Sequence, residues 1–223
     1  MLLSLNVYCQ NGMNLFNDAK SKHSSKDYEA AIAGYSAAIE SESSPINLSV
    51  FYKFRGDAKL SLDDYSGAIV DYTKSESIYK HSDLVKDLLI KRAFAKRELK
   101  DYRGAIDDYT EYIDKSNYII SKMARGSSAG GNYTKEQNAA FERTYSLGYF
   151  YRGTAKLKLK DFSGALVDFD EALAIEPSYS AVFYSRGYAK LNLNKKQSAC
   201  LDFSKAGELG YEGAYEAIGK YCQ

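Results

Sequence analysis

Tryptophan is absent from the 223 residues and proline occurs only twice. So little proline leaves long helices uninterrupted, because a proline inside a helix removes a backbone donor and clashes with the preceding turn. Cysteine is scarce as well: Cys9, Cys200 and Cys222 are odd in number, far apart and never spaced C-x-x-C. That argues against a disulfide framework or a zinc knuckle and for buried or incidental thiols. No apolar run approaches the ~18 residues that a bilayer-spanning helix requires, so no membrane insertion is expected. An excess of one charge is missing too. Lys+Arg number 30 against Asp+Glu 29, a net charge of +1, whereas a chain built to coat nucleic acid or an anionic membrane needs a surplus of cations. His23 and His81 share no catalytic or ligand spacing, and no His-Glu-x-x-His, nucleophile elbow or Cys/His pair occurs. Neither enzymatic activity nor a cofactor or metal is expected.

What is present is the composition of a folded globular chain, 45% apolar and 26% charged, long enough to bury a sizeable core. Tyrosine is abundant, at 21 residues, so aromatic packing has to be built mainly on phenol rings. The N-terminal stretch from Met1 to Gln10 has a short apolar centre with no basic residue before it, which is an incomplete secretory signal. The compartment is therefore open: the cytoplasm is the first expectation, and export or a periplasmic location is the alternative if residues 1–11 are the remnant of a trimmed signal. Asn47-Leu48-Ser49 and Asn132-Tyr133-Thr134 match glycosylation acceptors, a pattern common by chance.

The informative feature is self-similarity. Arg55-Gly56-Asp57-Ala58-Lys59-Leu60 and the later Ser66-Gly67-Ala68-Ile69-Val70-Asp71-Tyr72 return as Arg152-Gly153-Thr154-Ala155-Lys156-Leu157 and Ser163-Gly164-Ala165-Leu166-Val167-Asp168-Phe169. The same frame recurs over 92–109 and 186–203, and more weakly over 18–35. In each copy a small residue (Ala19, Gly56, Ala93, Gly153, Gly187) is followed 12 residues later by alanine (Ala31, Ala68, Ala105, Ala165, Ala199). Four residues after that comes an aromatic: Tyr35, Tyr72, Tyr109, Phe169, Phe203. The alanines step by 37, 37, 60 and 34 residues, so the long step is one unit carrying an insertion of about 26 residues, placed at 118–145.

Each unit divides into two amphipathic helices. Ala165, Phe169, Ala172 and Leu173 fall at i, i+4, i+7 and i+8, the stripe of a helix with one buried face; Tyr149, Gly153 and Leu157 mark the helix before it. Lys160-Asp161-Phe162-Ser163 breaks the two, and Ser163 is the expected cap of the second. Small residues at fixed places let two helix backbones approach closely while the aromatic fills the space beside them. Arg55, Arg92, Arg152 and Arg186 stand directly before the small residue, and Asp71, Asp108, Asp168 and Asp202 directly before the aromatic, 16 residues away. They are expected to pair and fix helix register rather than to hold a ligand.

Hairpins of this period and spacing, with a proline near the end as in Leu173-Ala174-Ile175-Glu176-Pro177, resemble the tetratricopeptide repeat (TPR) family, in five copies over 12–211. The chain departs from the family pattern in lacking the early tryptophan and in carrying Asp18 where the other copies have arginine. The resemblance implies an all-α fold, a right-handed superhelical α-solenoid of antiparallel helix pairs. Its repeats would span about 12–45, 49–82, 86–119, 146–179 and 180–211, with a capping helix in 212–223, all forming one body. In the family the first helices line a concave groove that holds a peptide. Carried over position by position, that implies Phe16 and Lys20; Lys53, Phe54 and Asp57; Ile90, Lys91 and Phe94; Phe150, Tyr151 and Lys158; and Tyr184 and Tyr188. The family's clamp of Lys, Asn and Arg for a chaperone's C-terminal carboxylate is not met. Phe16 and Lys20 stand where the first hairpin should offer Lys and Asn, Phe54 where the second should offer Asn, and Lys53 is followed by Asp57 rather than Asn.

The run from Gly126 to Gly131 has the composition of a flexible loop, and with no Gly-Lys-Ser/Thr after it, it is no phosphate cradle. The leading functional reading is a protein-interaction scaffold that binds a peptide or partner helix in the groove. The alternative is an RNA-binding helical repeat, disfavoured because the groove positions vary from aromatic to aliphatic to charged instead of repeating a base-reading polar set. The expected partner is another protein; self-association through open solenoid ends is a further option.

Overall fold

The computed structural model describes residues 2–79, 82–124 and 135–223, with side chains at 12–79, 85–117 and 143–223. Eleven helices and no strand occur among the described residues: α1 Leu2–Ser24, α2 Tyr28–Glu40, α3 Pro45–Ser61, α4 Tyr65–Ile78, α5 Ser82–Glu98, α6 Tyr102–Ala124, α7 Lys135–Lys158, α8 Phe162–Ile175, α9 Ser180–Asn192, α10 Lys196–Glu208 and α11 Ala214–Tyr221. Consecutive helices pair, α1 with α2, α3 with α4, α7 with α8 and α9 with α10. The second helix of a pair then packs on the first helix of the next, as α2 does on α3, α4 on α5, α6 on α7 and α8 on α9, and α11 closes on α10. The chain forms two compact units, residues 1–101 and 102–223, where the phased copies led to an expectation of one body. In a repeat array each hairpin buries its faces against its neighbours only, so the core is distributed along the chain instead of gathered at one centre.

Most of the expected insertion at 118–145 is helix. α6 runs on to Ala124 and α7 begins at Lys135, while the stretch from Gly126 to Gly131, read as a flexible loop, lies outside the described residues.

The bend inside each hairpin is built the same way. Lys26, Asp63, Lys100, Lys160 and Asn194 have φ of 65°, 59°, 64°, 63° and 58°, the left-handed conformation that ends a helix. In three hairpins the next residue caps the following helix: the carboxylates of Asp27, Asp64 and Asp161 accept from the backbone N–H of Ala30, Gly67 and Gly164 at 3.3, 2.9 and 2.9 Å. The sequence pointed to Ser163 instead. α8 starts one residue earlier than that serine, at Phe162, and a carboxylate at the cap position also meets the positive end of the helix dipole. Asp161→Ala is expected to cost about 1 kcal/mol in denaturant unfolding, and Ser163→Ala a few tenths; equal losses would return the cap to Ser163.

The repeated glycines are sites of close approach. A Cβ at Gly56, Gly153 or Gly187 would lie 2.8, 2.7 or 2.6 Å from a ring carbon of Tyr72, Phe169 or Phe203, and each of these rings is fully buried. Buried serines tie the far ends of two hairpins. Ser49 Oγ donates to the Ser75 carbonyl at 3.0 Å and Ser75 Oγ returns a bond to the Ser49 carbonyl at 2.7 Å. In the later copy Ser146 Oγ donates to the Ala172 carbonyl at 3.0 Å. Because Ser49 is buried inside α3, the acceptor triplet at Asn47 is closed to a glycosylating enzyme in the folded chain; the one at Asn132 lies outside the described residues.

The reading of the cysteines as thiols is corrected. Cys200 and Cys222 are joined by a disulfide, with Cα atoms 5.7 Å apart across a separation of 22 residues. Short spacing rules miss such a pair, which depends on the chain reversing at Gly210, where φ is 83°, so that α11 returns onto α10.

Candidate functional site

The arginine–aspartate pairs separate what holds the hairpins from what they present. Arg55 donates to Asp71 at 2.7 and 2.9 Å, Arg152 to Asp168 at 2.7 and 3.0 Å, and Arg186 to Asp202 at 2.8 and 2.9 Å. A lysine four residues after each arginine holds the same carboxylate: Lys59 at 2.8 Å, Lys156 at 2.9 Å and Lys190 at 2.7 Å. The other arm of each guanidinium reaches the second helix of the preceding hairpin, from Arg55 to Ser36 at 3.0 Å, Arg152 to Thr110 at 3.2 Å and Arg186 to Asp170 at 2.6 Å. Arg92 makes the equivalent reach to Glu76 at 2.7 Å; Arg92 and Asp108, both buried, belong to different units. Arg55, Arg152 and Arg186 also lie over the ring three residues before them, Tyr52, Tyr149 and Phe183, at 5.2 to 5.5 Å. One residue thus fixes both the register of its own hairpin and the stacking on the one before.

In the first unit the first helices α1, α3 and α5 bring five of the expected groove residues together. Lys53 bonds Asp57 and Asp87, each at 2.9 Å, and Lys91 bonds Asp57 at 2.9 Å and Asp87 at 3.2 Å, so four side chains form a closed ring of alternating charge. Tyr72 donates to Asp57 at 2.9 Å from beneath. Beside the ring, Lys53 and the exposed Lys20 lie 4.7 and 5.7 Å from the centre of half-buried Phe54, at cation–π distance. Asp87 was missed by the sequence reading. Burial works against its charge, but Lys91 and Lys53 prevail and hold the carboxyl below its ordinary value. His23 borders the cluster, with Nδ1 3.4 Å from the Tyr35 hydroxyl. Burial lowers its pKa, with Asp57 opposing and Lys91 and Lys53 adding to the shift.

Three expected residues of this unit go elsewhere. Phe16 is core, not groove: it is 7% exposed, stacked on Phe51 at 4.5 Å and set edge-on to Phe54 at 5.2 Å. Phe94 packs across from Tyr65 at 6.3 Å and under Arg97 at 4.8 Å. Ile90 is half-buried on α5, outside the charged ring.

In the second unit the face is aromatic. Phe150 lies 5.3 Å from Tyr151 and 5.1 Å from Tyr179, and Tyr151 stacks on Tyr109 at 5.9 Å. Lys158 is exposed at the end of α7, away from these rings. Tyr184 and Tyr188 share a hydroxyl contact of 3.2 Å, and the C-terminal segment covers them: Tyr211 lies 4.4 Å from Tyr184 and Tyr221 lies 5.8 Å from Tyr188. These two tyrosines, expected in an open groove, are occupied by the chain's own tail.

No protein-family model and no curated protein matches the chain. Solved structures do. YrrB, reported as a TPR protein with an unusual peptide-binding site, aligns at a TM-score of 0.70 and 16% identity over 92% of this chain and 90% of its own. MamA aligns at 0.67 and 17% identity over 91% and 97%. The apo form of RapI aligns at 0.75 and 12% identity over 94% of this chain and 58% of RapI. At such identities the likeness is one of fold.

Proposed function

Starting from the tetratricopeptide-repeat fold that this chain has, we propose that it is a protein-interaction module which holds an extended peptide or a partner helix on the face that the first helices present within a unit. The contrast inside the repeat carries this reading. The seam positions of each hairpin, the small residue, the alanine 12 residues later and the aromatic four after that, keep their character from copy to copy and are buried in every copy, whereas the face positions Phe54, Lys91 and Tyr151, each two residues before the small one, change type and are half-buried. Half-exposed rings beside paired charges offer large contact area with little side-chain entropy to lose. The peptide-binding site reported for YrrB is a precedent on the same fold. Binding is favoured over catalysis because Lys53, Asp57, Asp87 and Lys91 hold one another's charge in a closed ring.

The test is affinity capture from the source cell with the wild-type chain, Phe54→Ala/Tyr151→Ala and Lys20→Glu as baits, each checked for an unchanged helical signal. The face variants are expected to lose at least ~10-fold of the captured protein, about 1.4 kcal/mol. Equal capture by all three baits would move the site off this face. Binding of single-stranded RNA that weakens steeply with salt would favour the RNA reading instead.

A further inference from the structure

We infer that the Cys200–Cys222 bond is a redox latch on the C-terminal helix, closed where thiols are oxidised and released by reduction. The inference is independent of what the protein binds. α11 has eight residues, and isolated helices shorter than ~12 residues are marginal in water because the first turn is costly to nucleate. Its packing is slight: the residues it buries fully are the two small side chains Ala214 and Ala217, with Ile218 and Tyr221 half-buried against the cluster around Ala199 and Phe203. Its far end is fastened by the disulfide and by a 2.6 Å bond from exposed Lys196 to the carbonyl of Gln223. Beneath it lie the aromatic rings of α9 and α10, with Tyr221 5.8 Å from Tyr188 and 6.4 Å from Phe203. A covalent link at the end of a short, thinly packed helix decides whether that helix stays docked.

Both cysteines are partly exposed, so exchange with an external disulfide is sterically open. In closing, the thiolate of one cysteine attacks the disulfide of an oxidised low-molecular-weight thiol or a protein disulfide donor, releasing one donor thiol. The second cysteine's thiolate then displaces the other donor thiol. Two protein S–H groups and one donor S–S bond become one protein S–S bond and two donor S–H groups, and two electrons pass from the protein sulfurs to the donor. Opening is the same exchange run backwards by a dithiol; a phosphine opens the bond differently, attacking one sulfur and leaving with the oxygen of a water molecule as the phosphine oxide, so that both cysteines end as S–H. Such bonds persist in oxidising compartments and are lost in reducing ones.

The experiment uses the full chain, oxidised with glutathione disulfide, then compared with and without tris(2-carboxyethyl)phosphine by non-reducing peptide mapping and amide hydrogen exchange. The expected result is a Cys200–Cys222 linked peptide and, on reduction, a fall in protection of at least ~10-fold confined to residues 214–222. C200S/C222S should behave as the reduced chain does. Free thiols at both positions after oxidation, a bond from either to Cys9, or unchanged protection after reduction would each overturn the latch.

Discussion

Asp168→Ala is expected to lower stability by about 3–5 kcal/mol, read as a shift in the denaturant midpoint and the melting temperature. The carboxylate is 1% exposed and compensates two cations, Arg152 and Lys156, which are themselves 16% and 19% exposed. Pairing two charges in a water-poor site gains little over an apolar replacement, but deleting one partner strands the others, and that penalty dominates. Arg152→Lys should cost less than loss of the aspartate yet still be harmful, since a lysine keeps the charge and cannot supply the fork that also reaches Thr110. Partner binding should survive in any Asp168→Ala protein that remains folded, because this carboxylate faces the helix seam. An unchanged melting curve would contradict the clasp.

Phe169→Ala should be comparably damaging, at about 3–5 kcal/mol, because the ring is fully buried and its removal leaves a cavity between the paired helices. The more discriminating experiment couples it to Gly153. Gly153→Ala alone places a Cβ 2.7 Å from Phe169 Cε1 and 3.1 Å from Asp168 Cβ. That overpacking is worth about 1–3 kcal/mol, offset in part by the roughly 1 kcal/mol that alanine gains over glycine in a helix. In the Phe169→Ala background the contacts with the ring are gone and only the one with Asp168 Cβ remains, so the double variant should be more stable than the sum of the single losses implies. Strict additivity would mean that glycine and ring do not meet.

These two contacts show what could be read without coordinates. The fixed spacing of small residue, alanine and aromatic, with arginine and aspartate beside them, was legible because stacking hairpins repeats one packing problem and therefore one solution. Lys59, Lys156 and Lys190 recur four residues after each arginine and could have been found by the same comparison; matching charges one to one hid their role. The reciprocal bonding of Ser49 with Ser75 and the later use of Ser146 were likewise present as a repeated spacing of 26 residues. Three features depend on events that do not repeat. The disulfide needs the reversal at Gly210, the covering of Tyr184 and Tyr188 needs a tail that occurs once, and Phe16 enters the core because Phe51 offers it a ring to stack on. Face residues were placed on the right helices, but whether a given ring points to a neighbour or to solvent is decided by the adjoining helix. Asp87 stands six residues before Ala93, outside the positions that the family resemblance implies for the groove.

The central claim, that ligands occupy the face of the first helices, is tested most directly by hydroxyl-radical footprinting of the chain with and without its captured partner. Phe54 and Lys91 report on that face in the first unit and Tyr151 in the second, while Val70 in the first unit and Val167 and Leu201 in the second, which are 65%, 61% and 72% exposed on the second helices α4, α8 and α10, report on the other side of each unit. The account predicts reduced labelling of the first set with the second unchanged. Protection of Val70, Val167 and Leu201 with Phe54 and Tyr151 still labelled would contradict it.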